Sequence, residues 1–420
     1  MTDARTPGDR PAGDAARDGA TVRAHWTLDP AVTFLNHGSF GACPVPVLAA
    51  QSAWRSRMEA EPVHFLAREL EGHLDAARGA LGHFLGADAD DLAFVPNATS
   101  GVSTVLRSLD LRPGDEILVT DHEYNAALNA VRYVAERSGA RMVVARLGLP
   151  IADAQIAVDA VLGAVTPSTR LAMISHVTSP TALVLPLEAI VAGLAARGVD
   201  TLVDGAHAPG MVPLTLDALG AAYYTGNCHK WMCAPKGAAF LHVRRDRQAA
   251  IRPLAISHGA NARREGRSRF RLELDWTGTA DPTPFLCLPD AIAFMAGLRP
   301  GGWPALMDAN RTLALAGRDL LCATLGTPAP APDGMIGSMA AAFLPPDVTP
   351  RVPAGYATLD EALLPHYGIE VPLTAWPVDA VEDGGVASPV RMVRISAQAS
   401  NDLGEVRRLA DVLREAFGRG

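Results

Sequence analysis

From Leu92 onward the chain alternates short apolar runs with amphipathic stretches of helical spacing. Leu92-Ala-Phe-Val95 is followed by a helical pattern from Thr99, and Glu116-Ile-Leu-Val-Thr120 by one that runs through Arg132. Arg141-Met-Val-Val144 leads to a helical stretch across Ala154 to Val165. Arg170-Leu-Ala-Met-Ile-Ser175 precedes another from Pro186 to Arg197, and Thr201-Leu-Val-Asp204 comes next. Apolar runs this short, separated by segments long enough for a crossover helix, predict a mostly parallel sheet with helices on both faces. Ala222-Tyr-Tyr-Thr225 is a further short run. Ala238 to Val243 comes soon after Lys230 with too few residues for a crossover helix, so that strand is expected to run antiparallel.

The flanking regions have a different texture. Pro44 and Pro46 open a stretch of helical spacing from Val47 to about Leu85. After about Gly297 a helix is expected from Trp303 to Leu325, then a Pro-rich linker, Thr327 to Pro332, then short strands and helices. Met1 to about Ala20 contains almost no large apolar side chain and reads as a disordered extension. The expected division is an extension at 1–25, a segment at 26–45 packing on the smaller domain, a large domain at 46–297 and a small C-terminal domain at 298–420.

Composition narrows the class. A chain of 420 residues, 49% hydrophobic, with net charge −8, is long enough for a large core and carries no general basic surface for nucleic acid. The local exception is Arg263-Arg264, Arg267, Arg269 and Arg271, which reads as a solvated loop or as a site for an anionic substrate or a neighbouring subunit. The five cysteines are scattered, without metal or disulfide spacing, and fit a reducing cytoplasm; no zinc or other metal site is expected. No apolar run reaches the roughly 18 residues of a membrane span.

Candidate chemistry gathers at strand ends, where ligands bind in open α/β sheets. Thr201-Leu-Val-Asp204-Gly-Ala-His207-Ala-Pro-Gly210 ends a strand in an acid, a glycine and a histidine. Gly226-Asn227-Cys-His229-Lys230-Trp231 puts a lysine at another strand end, 26 residues after Asp204. A lysine alone is ordinarily a solvated charge, and a strand-terminal Asp ordinarily a helix cap. Together they suit pyridoxal 5′-phosphate (PLP), whose aldehyde needs an amine for a Schiff base and whose pyridine nitrogen needs an acid to keep it protonated. His207 could bond the phenolic oxygen. Asn97-Ala98-Thr99-Ser100-Gly101 lies between a strand and a helix, where free N–H groups suit a phosphate. Asp121-His122-Glu123-Tyr124-Asn125 offers a planar side chain to stack on the ring, either His122 or Tyr124. Trp276-Thr277-Gly278-Thr279 suits a second phosphate contact. Arg394, inside the short run Val393 to Ser396, suits a bidentate grip on a substrate carboxylate.

With Asn36-His37-Gly38-Ser39-Phe40-Gly41 and Ser175-His-Val-Thr-Ser-Pro180, these segments resemble the class V branch of fold-type I PLP enzymes, and within it the isopenicillin N epimerase family. The resemblance runs from about Phe34 to Asn401. It implies an α/β fold-type I PLP-dependent transferase, with a large domain built on a mostly parallel seven-stranded sheet and a smaller α+β C-terminal domain. It implies a cytoplasmic homodimer with shared active sites, with Thr279 reaching the phosphate of the partner's site. Asn227 and His229 are expected near the phosphate, and Asn36, His37 and Arg394 on an amino-acid-type substrate. Lys230 then removes the Cα proton, and Tyr124 or His122 serves as the other catalytic group. Epimerisation is the expected reaction; a C–S lyase eliminating from a cysteine S-conjugate, of the ergothioneine or lincosamide kind, is the alternative, and the same scaffold also supports decarboxylation or oxidative deamination. A non-catalytic PLP-binding scaffold would be expected to have lost Lys230. Two departures bear on this. Ser400-Asn401 stands where the resemblance calls for an aromatic before Asn, and no cysteine follows Cys322 to carry a persulfide.

Overall fold

The computed structural model describes residues 22–377 and 389–418, so the expected N-terminal extension lies outside the described residues. The chain enters through a two-residue strand, Thr33–Phe34 (β1), and a helix, Val45–Ala60. The continuous helical spacing from Val47 to Leu85 is not one helix. Glu61 is forced out of the helical region (φ −152°, ψ 76°) by the proline that follows it. The chain then restarts through Pro62–His64 and a π-helical turn, Phe65–Glu69, into the helix Leu70–Leu85.

The large sheet consists of Leu92–Val95 (β2), Glu116–Thr120 (β3), Arg141–Ala145 (β4), Thr169–Ser175 (β5), Asp200–Asp204 (β6), Tyr223–Asn227 (β7) and Ala239–Val243 (β8). Its seven strands lie in the order β2-β8-β7-β6-β5-β3-β4. All pairs among β3 to β7 are parallel, and β8 runs antiparallel to both β2 and β7, as the short connection predicts. Because side chains alternate across a strand, each run feeds two cores. On one face Leu118, Ile174 and Val203 lie under the helices Ala154–Gly163 and Leu187–Ala195, and Leu92 and Phe94 under the helix Leu70–Leu85. Ala93, Val95, Ile117, Val119 and Leu202 pack against Ala98–Ser108 and Asn125–Ser138 on the other face. Burial on both faces explains why the strands read as unbroken apolar runs.

The C-terminal part holds Met339–Phe343 (β9), Ile369–Glu370 (β10), Leu373–Trp376 (β11) and Val390–Ser396 (β12). Strands β11, β12 and β9 form an antiparallel sheet in that order. It packs with the helices Gly302–Leu325 and Leu403–Ala416 around a separate apolar cluster. Strand β1 pairs in parallel with β10, so the N-terminal segment is stitched to the C-terminal part before it passes the large sheet. No helix among the described residues is long and apolar enough to cross a membrane.

Candidate active site

The strand order reverses between β3 and β5: one connection leads outward to β4, the later ones back to β6 and β7. The crevice at their carboxyl ends is where an α/β sheet presents a ligand site. Asp204 ends β6 there, buried, its Oδ1 accepting from the Ala206 N–H at 3.0 Å. Burial holds its carboxyl above the usual range, against the pull of that N–H and of Lys230. The loop after it stays close to the lysine loop because Gly210 (φ 84°) has no side chain. A Cβ there would stand 2.8 Å from the Trp231 carbonyl carbon.

Lys230 Nζ lies 3.1 Å from His207 Nε2. Burial, and secondarily Arg394, pull the amine down to about 7, against the attraction of Asp204. The same surroundings, burial first and then Lys230, keep His207 neutral, and its buried Nδ1 has no partner among the described residues. The backbone beneath is tightly held: His37 Nε2 meets the Lys230 carbonyl at 3.2 Å, and a Cβ on Gly41 would stand 2.6 Å from the same oxygen. Cys233 closes this loop at φ 57°, a left-handed conformation that a non-glycine residue adopts only when its surroundings hold it there.

Across the crevice, β12 delivers Arg394. The guanidinium donates to Ser39 Oγ at 2.9 Å, to the Ser179 carbonyl and to Asn36 Oδ1 at 3.5 Å, while its buried Nε has no partner among the described residues. Burial lowers it to about 10, so it remains a cation. Asn36 in turn donates to Glu370 Oε1 at 2.7 Å. The glycine-punctuated turn Asn36–Gly41 therefore touches both the lysine loop and the carboxylate-binding candidate. On the third side the helix Ala98–Ser108 begins. Asn97 Oδ1 accepts from the Ser100 N–H at 2.8 Å, and Asn227 Oδ1 from the Ala98 N–H at 2.8 Å, leaving Thr99 exposed in the first turn.

The structure brings Asp204, His207 and Lys230 together, with Arg394 electrostatically coupled to both His207 and Lys230. The other candidates have the following surroundings. His37, 1% exposed, packs behind the lysine backbone instead of facing a substrate, because its imidazole is the partner of that carbonyl. Asn227 spends its side-chain oxygen on the helix start, and His229 Nδ1 sits 3.2 Å from the Ala238 carbonyl. His122 is enclosed, 2.8 Å from Thr181 Oγ1 and against the Trp376 ring, and burial lowers it to about 3. Tyr124 is 46% exposed at the start of its helix and coupled to Arg394. Thr279 lies in an exposed loop with no hydrogen bond to these residues. The arginine-rich segment is exposed at Arg263, Arg264 and Arg269, as a solvated loop would be, but it is also ion-paired: Arg264 and Arg267 pair with Glu71, and the buried Arg271 with Asp75, Asp90 and Asp275. Sequence reasoning misses Ser39 and Ser179 as supports of Arg394, and Glu123 beside Asp204. The glycines around Ser39 were the available signal.

A near-neutral amine, a buried acid, an imidazole and an open helix start are the parts that a lysine-anchored PLP site on an α/β sheet requires. A family model described as aminotransferase class-V matches residues 39–292, and the chain belongs to that family; its cofactor is PLP. It is 38% identical to an isopenicillin N epimerase of Amycolatopsis lactamdurans, over 94% of this chain and 98% of that protein. It is 30% identical to a protein of Oryza sativa subsp. japonica named as an L-cysteine desulfhydrase, over 97% of this chain and 88% of the other. A cysteine desulfurase from Escherichia coli shares the fold with TM-score 0.76 at 22% identity, covering 96% of this chain and 98% of that one.

Proposed function

We propose that the enzyme moves the Cα proton of an amino-acid moiety, with epimerisation as the reaction the site supports best. The observation that carries this is the Lys230 amine, lowered to about 7 and so substantially unprotonated at neutral pH. When bound, PLP supplies an electron sink for the charge left at Cα. Asp204 would hold its ring nitrogen and His207 its phenolic oxygen. Thr99 and Ser100, with His229 alongside and Asn227 behind them, would hold the phosphate. Arg394 binds the substrate carboxylate and so turns the Cα–H toward Lys230, which takes the proton on its own face. Tyr124 is the group on hand to return a proton from the other face. His122, enclosed and neutral, serves as a packing surface. The similarity to a protein named as an isopenicillin N epimerase supports this reading.

β-Elimination from a cysteine S-conjugate is the second reading. It is favoured by the similarity to a relative named as an L-cysteine desulfhydrase. One experiment separates them. The enzyme is incubated in deuterated water with isopenicillin-type amino acids and with cysteine S-conjugates. Deuterium at Cα with an inverted centre and no pyruvate supports epimerisation; pyruvate with a released thiol replaces it by the lyase. Lys230→Ala should lose both, together with the absorbance band near ~420 nm.

We further propose that Thr279, exposed on its own subunit, completes the phosphate contacts of a second copy in a twofold dimer. Mixing Lys230→Ala with Thr279→Ala subunits should then give more activity than the two variants summed. Simple additivity would remove this proposal.

A further inference from the structure

The β3–β5 ladder ends at Leu118 and Ala172, so beyond that pair the two strand ends separate at the point where the strand order reverses. Glu123, fully buried, fills the opening. Thr120 Oγ1, at the end of β3, donates to its Oε1 at 2.8 Å, and the Ser175 N–H, at the end of β5, to the same oxygen at 3.1 Å. Its Oε2 meets Ser175 Oγ at 2.5 Å. Ser175 is the register partner of Asp204, and the next N–H, that of His176, donates to the Asp204 carbonyl at 2.9 Å. A carboxyl group thus bridges two strand ends one residue pair away from the acid assigned to the cofactor ring.

On the assignment of Asp204 to the ring nitrogen, we propose that Glu123 is a positioning residue for Asp204. It ties the separated ends of β3 and β5, and by holding or releasing a proton it sets whether the proton shared by Asp204 and the ring nitrogen stays on the ring. No cation among the described residues pairs with Glu123, so only hydroxyls and one N–H can stabilise its charge. Burial raises it to about 7, and the charge of Asp204 pushes in the same direction. The other titratable groups around it leave Asp204 as its opponent. His122 on its own loop and His176 beyond Ser175 are kept neutral by burial. Asp121 turns to the Leu147 N–H, Tyr124 faces Arg394's charge, the Tyr224 hydroxyl on β7 is bonded to His176, and Lys230 couples to Asp204. A protonated Glu123 lets Asp204 remain anionic. An ionised one raises the proton affinity of Asp204, drawing the shared proton off the ring and weakening the electron sink.

The test is the ring-nitrogen NMR shift of the holoenzyme reconstituted with 15N-labelled PLP, followed across pH. In the wild type the shift should titrate with a midpoint near about 7, as expected for a carboxyl raised by burial. Glu123→Gln should abolish that titration while retaining the cofactor. Ser175→Ala, which removes a hydrogen bond to the ionised carboxyl, should move the midpoint up by about one pH unit. An identical profile in the wild type and Glu123→Gln overturns the proposal, as does an unmoved midpoint in Ser175→Ala should the glutamine variant fail to fold. Asp204→Asn separates the two assignments: if it leaves the ring-nitrogen shift unchanged, Asp204 is not the ring's acid, whatever Glu123 does.

Discussion

Arg394 sits buried on β12 with donors committed to Ser39, Ser179 and Asn36, residues from two distant parts of the chain. Its planar fork is held in place before any substrate arrives, which leaves little entropy to lose when a carboxylate binds. A lysine at this position would reach one of these partners and could not span the carboxylate. Arg394→Lys is therefore expected to lower kcat/KM for an amino-acid substrate about a hundredfold, mostly through KM, with cofactor absorbance unchanged. Steady-state kinetics beside a spectrum checks this, and an unaltered KM would place the carboxylate elsewhere. The sequence marks Arg394 because a cation within an apolar run needs an anionic partner. It does not mark Glu123, because an acid after a strand looks like any turn residue until its distance to Ser175 is known.

At the scale of elements, the β-α alternation is legible because burial on both faces writes each strand as an apolar run. The antiparallel β8 is legible because a short connection cannot cross over. The break after Ala60 is visible in hindsight at Glu61-Pro62, where the apolar spacing continues and only the missing N–H and the restricted residue before proline say otherwise. The turn Asn36–Gly41 shows the limit of local reading. Its glycines mark close approaches, but what approaches is the Lys230 backbone for Gly41 and Met339 on β9 for Gly38. The two non-glycine residues held at positive φ among the described residues, Ala182 and Cys233, lie in the loops beside Arg394 and Lys230. Tertiary contacts over-determine those loops, so no local preference announces them.

For the whole molecule, the site sets the response to acid. His37, His176 and His229 are lowered to about 4 and His122 to about 3, in each case by burial first. The unfolded chain takes up these protons near pH 6.5 while the folded chain refuses them, so the stability they protect is intact above about pH 6.5 and is lost as pH falls toward 4. Glu123, raised to about 7, works in the opposite sense between about pH 4.5 and 7, as does Asp204, also raised by burial, and together they offset part of this loss. The urea midpoint of the cofactor-free protein should accordingly fall between about pH 6.5 and 4.5, and a flat midpoint over that window would contradict the burial of these rings. The ion pairs of Arg264, Arg267 and Arg271 with Glu71, Asp75 and Asp90 act nearer the surface and should respond to salt more than to pH in this range.

The sequence by itself determined the α/β architecture, the antiparallel strand, and the acid, histidine and lysine proposed for the PLP site. These depend on local periodicity and on strand ends, which a linear order records. Only the tertiary structure decided that His37 braces the lysine loop, that Asn227 holds the helix start, that the arginine-rich segment pairs with Glu71, Asp75 and Asp90, and that Glu123 joins the separated strands behind Asp204. Each of these is a contact between residues far apart in the chain, set by how the strands, helices and loops pack together, and periodicity carries no information about it.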